Sequence, residues 1–289
     1  MFSEKRYQLE NIRLASVELG EASAADTCIL FLHGWLDNSA SFFTVMQSLH
    51  AKLPGAHLVA ADLPGHGLSG HRRADNYYVF HDYIDDLNQL VTKLSSNRLI
   101  IIGHSLGALV ASCYSAAFPE KVDGLVQIEG FGPLCETTEN AVSRLRKGAL
   151  SRQRSRMKPE RTFSDLDEMV QRRAELNQVS SEQIRPILER GTTQELGQWR
   201  WNHDSKLKCD SLYRMSPEHG SAILEAIECP HKVVLGDSGY AGLKDIAKQY
   251  QHLEISVEQI PGSHHCHIQN PDQISEIILG LVNKIKTTA

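Results

Sequence analysis

Residues 99–118 read as a short apolar run, then the turn Gly103-His104-Ser105-Leu106-Gly107, then a stretch with helical spacing of apolar side chains. This handover restricts the fold more than any other feature. A buried strand that passes straight into a helix through a glycine-flanked turn is half of a parallel crossover unit. Similar strand-length runs stand at residues 28–32, 57–61 and 124–128, and again at 232–235 and 253–260. Helical patterns lie at 80–94, 106–118 and 274–285. Strands alternating with helices predict an α/β chain with a mostly parallel central sheet flanked by helices.

The alternation stops near Gly130 and resumes near His231. Residues 133–228 are polar and helix-prone, so the expected organisation is a core built from 1–132 and 229–289, with 133–228 inserted as a helical cap. The insertion carries a basic run, Arg144, Arg146, Lys147, Arg152, Arg154, Arg156, Lys158 and Arg161, opposed within it by Glu160 alone. A solvated helix face is the plainer reading of such a run; attraction of an anionic substrate is the second. Trp199 and Trp201, two apart, would not share a face on a helix and are expected only to pack.

With 289 residues the chain is long enough for a large core, and 41% apolar content against 22% charged is that of a globular domain. The net charge of −5 gives no global field for a nucleic acid or an anionic membrane, so neither is an expected partner. The six cysteines are scattered without C-x-x-C spacing and read as free thiols, no window is long and apolar enough to span a membrane, and the first residues lack the apolar core of a secretion signal. The expected location is the cytoplasm.

The turn at 103–107 has the G-x-S-x-G pattern in its required strand-turn-helix setting. A serine there projects its hydroxyl above the sheet, while the glycines let neighbouring backbone pack close, so Ser105 is the expected nucleophile. A neutral hydroxyl needs a base to take its proton. Among 14 histidines the best placed is His264, in a loop between a predicted strand and the last helix, with His265 as its nearest rival. His264, His265 and His267 crowd together as metal ligands would, but no carboxylate accompanies them in sequence, and no metal or organic cofactor is expected.

These motifs carry a resemblance. Leu32-His-Gly-Trp-Leu-Asp-Asn38, Ala61-Asp-Leu-Pro-Gly-His-Gly-Leu-Ser69, the serine turn and the Gly-Ser-His-His loop resemble those of the α/β-hydrolase superfamily, and within it the chain is similar to the serine hydrolase-like proteins. The likeness spans about Cys28 to Pro133 and Pro230 to Val282, with Gly197-Gln-Trp-Arg-Trp201 through Asp204 a weaker match in the cap. It implies an α/β-hydrolase fold and favours His264 over His265 by the spacing to Pro271. It also implies an oxyanion hole made by the backbone N–H groups of Trp35 and Leu106. Physics agrees: donors fixed before the reaction stabilise a tetrahedral oxyanion without reorganising. His33, Asp37 and Asn38 are expected to hold that loop.

The third triad member departs from the commonest pattern of the superfamily, because the usual acid position, three beyond Gly236, is Gly239. Glu129, at the end of an earlier strand, is the expected acid, resembling certain haloalkane dehalogenases; Asp237 is the alternative. A serine nucleophile implies an acyl-enzyme and hydrolysis of a small-molecule carboxylic ester or thioester, since a serine ether from alkyl displacement would be a dead end. A C–C bond hydrolase with the same triad and a non-catalytic binding protein are the alternatives. Phe131 and Leu134 are candidate substrate contacts.

Overall fold

The computed structural model describes residues 1–94 and 96–288. Its elements are β1 (Ser3–Gln8), β2 (Arg13–Leu19), β3 (Thr27–Leu32), α1 (Phe43–Lys52), β4 (His57–Ala61), α2 (Asp82–Val91), β5 (Arg98–His104), α3 (Leu106–Ala117), β6 (Gly124–Ile128), α4 (Ala141–Met157), α5 (Leu166–Asn177), α6 (Ser181–Gly191), β7 (Thr192–Glu195), β8 (Gln198–Trp201), α7 (Pro217–Glu225), β9 (His231–Gly236), α8 (Ala241–Gln249), β10 (Ile255–Ile260), α9 (Cys266–Gln269) and α10 (Pro271–Thr288). Eight strands form one sheet in the order β1-β2-β4-β3-β5-β6-β9-β10. From β4 to β10 every neighbouring pair is parallel, while β1 and β2 pair antiparallel with each other and β2 antiparallel with β4.

Period-two alternation explains why these runs are strands buried on both faces. In β3 and β5, Ile29, Phe31, Ile100 and Ile102 face one core with Met46 and Leu49 of α1 and Ile274, Ile278 and Leu281 of α10. Cys28, Leu30, Leu32, Leu99 and Ile101 face the other, with Leu87 and Leu90 of α2 and Val110 and Tyr114 of α3. The α/β architecture expected from the alternation is therefore the one observed.

The six expected strands are present, joined by β1 and β2. The segment between β6 and β9 is mostly helical, with one departure: β7 and β8 form an antiparallel hairpin. Trp199 and Trp201 lie on β8, so a spacing of two puts them on one face of a strand. Both pack against a cluster containing Met169, Val170, Ile184, Ile187 and Leu188. Among the described residues no helix is long and apolar enough to cross a membrane.

Register positions the site. Leu32 pairs with Gly103, His104 with Ile128, Ile128 with Val234, and Gly236 with Ile260, so the carboxyl ends of β3, β5, β6, β9 and β10 lie side by side. The chain leaves β3 for β4 on one side and continues from β5 on the other, which opens a crevice at those strand ends.

Candidate active site

Ser105 follows β5 directly and begins α3 with φ 49° and ψ −115°, a conformation L-residues avoid. Two constraints hold it there. Its N–H extends the ladder to the Ile128 carbonyl (2.9 Å), and α3 turns back over the sheet so closely that the flanking glycines have no room for side chains. A Cβ on Gly107 would lie 2.0 Å from the Leu32 carbonyl oxygen, and one on Gly103 would lie 2.5 Å from the Ala108 nitrogen. The glycines of the pattern are thus packing requirements of the serine turn.

Glu129 repeats the device one strand over. It follows β6 with φ 49°, and its N–H reaches the Val234 carbonyl (2.9 Å). Its carboxylate is 2% exposed and accepts three hydrogen bonds: from Gly236 N–H to Oε1 (2.8 Å), and from Tyr240 N–H and His264 Nδ1–H to Oε2 (both 3.1 Å). With Nδ1 engaged in this way, the other nitrogen of His264 is Nε2, the position a triad base uses. The His264 carbonyl accepts from His104 Nε2–H (2.8 Å), which ties the loop of His264 to the residue preceding Ser105. The Tyr240 ring lies 4.3 Å from the His264 ring, and His264 is one-fifth exposed.

Asp237 stands elsewhere. It is exposed, and its Oδ1 accepts from Gly262 N–H (2.9 Å) and Ser238 Oγ–H (3.0 Å), which pull its carboxyl below the usual value. Its visible task is to clip the loop after β9 to the loop after β10.

Trp35 lies in the loop after β3 and Leu106 opens α3 after β5, with the Gly107 N–H reaching the His33 carbonyl (3.1 Å) between the two segments. Among the described residues the turn and cap hydrogen bonds leave both amides unclaimed. The Trp35 loop is fixed by its neighbours. His33 donates from Nδ1 to the Gly34 carbonyl (2.7 Å) and accepts at Nε2 from Leu63 N–H (2.9 Å). Asn38 accepts from Ala40 N–H (3.1 Å) and donates to the Ile187 carbonyl (2.8 Å). The Phe131 ring is buried with Leu224, Val233 and Leu235, and Leu134 is 52% exposed.

One group escaped sequence reasoning. Asp37, fully buried, receives Arg173 Nη2–H of α5 at Oδ1 (2.7 Å) and His265 Nε2–H at Oδ2 (3.1 Å), with His104 Nδ1 3.9 Å from Oδ2. Burial alone would raise its pKa; His265 and Arg173 outweigh that and hold it well below the carboxylate range. His265, the rival base, is thereby committed to Asp37. Asp37, His104 and His265 bring ligand atoms within 4.8 Å of one another, the one grouping among the described residues with metal-site geometry. Arg173 already supplies the positive charge that a cation would bring. No local pattern reports this group, since Asp37 and Arg173 are 136 positions apart.

A mostly parallel sheet carrying a serine elbow, with a histidine and a buried carboxylate at its strand ends, is the architecture of the α/β-hydrolase fold. Comparison with known proteins agrees on the fold: the alpha/beta hydrolase fold family matches residues 27–166. The chain is similar to the serine hydrolase-like protein of Danio rerio, 28% identical over 263 residues that span 86% of this chain and 79% of the relative. A hypothetical protein of Pseudomonas aeruginosa superposes with a TM-score of 0.85 at 27% identity, covering 96% of this chain and 99% of the other. The thioesterase domain from the curacin biosynthetic pathway also has a TM-score of 0.85, at 22% identity with 96% and 99% coverage, a likeness of fold.

Proposed function

We propose that this hydrolase cleaves a carboxylic ester or thioester through an acyl-enzyme, with Ser105 as nucleophile, His264 as base and Glu129 as the triad acid. The observation that carries the reading is the Glu129 carboxylate: buried, held by two backbone N–H groups and bonded to His264 Nδ1 (3.1 Å). A buried carboxylate in that place selects the imidazole tautomer with Nε2 bare and stabilises the imidazolium that forms when Nε2 takes the Ser105 proton.

In this reading the Ser105 oxygen attacks the substrate carbonyl, and the resulting oxyanion is received by the Trp35 and Leu106 N–H groups, each worth about 3–4 kcal/mol of transition-state stabilisation. The imidazolium returns its proton to the departing alcohol or thiol. Water, deprotonated by His264, then cleaves the acyl-Ser105 ester. Residues 133–228 act as the cap that shapes the acyl or alcohol pocket, attached through Arg173 and Asn177 of α5 and Arg190 of α6. No step calls for a metal or organic cofactor.

Two measurements test the reading. A fluorophosphonate probe should label the parent protein and not Ser105→Ala, and p-nitrophenyl esters of rising acyl length should be turned over by the first alone. Equal labelling of both, or none of either, would overturn it in favour of a binding protein.

A further inference from the structure

Where the loop before α2 meets the segment between β6 and β9, the two leave a partly open cavity of about 100 Å³. The loop lines it with Tyr77, Tyr78 and Phe80, and the segment lines it with Leu212, Tyr213 and Arg152. Its walls are therefore rings and apolar side chains with one guanidinium among them. Hydrogen bonds across the seam hold these walls in place. Tyr78 donates its hydroxyl to Asp204 (2.9 Å), and Lys206, a further wall residue, gives its ammonium to the carbonyls of Arg73 and Asn76 (both 2.8 Å). On the other side Asp210 N–H donates to Ser151 Oγ (3.0 Å), which fixes the wall beside α4.

Arg152 is the wall residue whose bonds are unfilled. Its guanidinium carbon lies 4.0 Å from the centre of the Tyr77 ring, and its Nε–H is buried with no acceptor. Among the described residues no carboxylate pairs with it. Asp210, on the same cavity wall, is 3.4 Å from Lys147, and the Tyr77 hydroxyl accepts Arg156 Nη1–H (3.1 Å), which adds a second cation beside the first. A buried guanidinium N–H without an acceptor carries the cost of its own desolvation, and a carboxylate removes that cost through parallel bonds to Nε–H and one Nη–H. Stacking on Tyr77 already orients the guanidinium plane, so little freedom is lost when such a fork forms.

We propose that this cavity binds a short-chain monocarboxylate, its carboxylate forked on Arg152 and its hydrocarbon tail against the rings of Tyr77, Phe80 and Tyr213. Size and lining select the ligand. A cavity of about 150 Å³ takes benzene, so one of about 100 Å³ takes a body of about four carbons. The apolar walls suit a hydrocarbon tail and offer little to a strongly hydrated phosphate. Since the loop and the β6–β9 segment each supply part of the wall, the bound acid clamps one to the other. Ser105, His264 and Glu129 are not among the lining residues, so the site stands apart from the acyl-transfer reading and does not depend on it.

The test is titration calorimetry on the unsubstituted protein with butyrate, with butyramide as its uncharged isostere, and with inorganic phosphate. Butyrate should bind about 10-fold or more tighter than either of the others, and should raise Tm as it saturates. Arg152→Met, which keeps a flexible stem against Tyr77, should lose that preference; Arg152→Lys, which keeps the charge without the fork, should restore little of it. Equal affinity for butyrate and butyramide, or no saturable binding of butyrate, overturns the site on the unsubstituted protein, however the variants fold. Phosphate binding as tightly as butyrate overturns the carboxylate assignment. A preference undiminished in Arg152→Met places the acid elsewhere, the catalytic crevice included, and overturns the proposal as well.

Discussion

Glu129 and Gly239 share one space: a Cβ built on Gly239 would lie 2.1 Å from Glu129 Oε1. The position where the superfamily's usual acid stands is empty of side chain, and the carboxylate that fills it arrives from β6. Under the proposed mechanism Glu129→Gln should lower ester turnover by about 10³–10⁴-fold, because an amide stabilises the wrong imidazole tautomer. Gly239→Ala should move activity in the same direction by displacing the carboxylate. Asp237→Asn, which alters only a loop clip, should leave turnover near the parent's. Full activity in Glu129→Gln would end the assignment.

Strain at Ser105 gives a stability test independent of substrate. A non-glycine residue at φ 49° costs about 1 kcal/mol or more, and glycine removes that cost. Ser105→Gly should therefore melt above Ser105→Ala by calorimetry, both being inactive. Gly107→Ala should go the other way: its Cβ meets the Leu32 carbonyl at 2.0 Å, and forcing α3 off β3 should cost about 3 kcal/mol or more.

The Asp37–Arg173 pair joins α5 to the loop bearing Trp35. With Asp37 1% exposed and Arg173 15%, removing the guanidinium in Arg173→Met leaves a buried carboxylate with His265 as its remaining ionic partner, a loss of about 3–5 kcal/mol in urea unfolding. Arg173→Lys should recover part of it. Since the carboxyl is held well below its ordinary range, the stability it contributes is complete above about pH 4 and fades as pH falls toward the folded value. Asp37→Asn should lack that acid-side loss.

The parts of the site legible in sequence are those that sit at a strand end. Ser105 and Glu129 each follow a run of apolar residues directly, so their positions follow from the strands, and the glycine at 239 follows from counting past β9. Polar burial hid other elements. Tyr7, Ser16 and His57 hydrogen-bond to Glu18, 1% exposed within β2, so the expected apolar-polar alternation of β2 is broken by a satisfied charge. The hairpin β7–β8 turns on Leu196 and Gly197, both at positive φ, and leucine at the first of these carries no turn signal. The Asp37 group arises only in the folded chain, where α5 meets the loop after β3. The basic run divides: Arg144 pairs with Glu136, whereas Arg161 lies over the Phe163 ring.

The buried histidines set the acid limit of the fold. His33, His66, His104 and His267 are held below the ordinary imidazole range, and His231 is pushed down to about 4, burial being the first cause in each case. The unfolded chain takes up protons below about pH 6.5 that the folded chain refuses, so stability is complete above that pH and falls as pH drops. Each withheld proton contributes a slope of up to about 1.4 kcal/mol per pH unit, and several together exhaust a typical total of about 5–15 kcal/mol within one or two units. Urea unfolding across a pH series should thus show a steep, multi-proton decline starting near pH 6.5. His267 isolates one proton of it. Its ring is 0% exposed, lies 4.1 Å from His104 and 5.0 Å from Phe42, and neither nitrogen has a protein hydrogen-bond partner. His267→Leu should raise Tm at neutral pH by removing an unpaired polar group, raise it further at acid pH, and reduce the proton uptake on unfolding by one. An unchanged slope in that variant would show that His267 takes its proton within the fold.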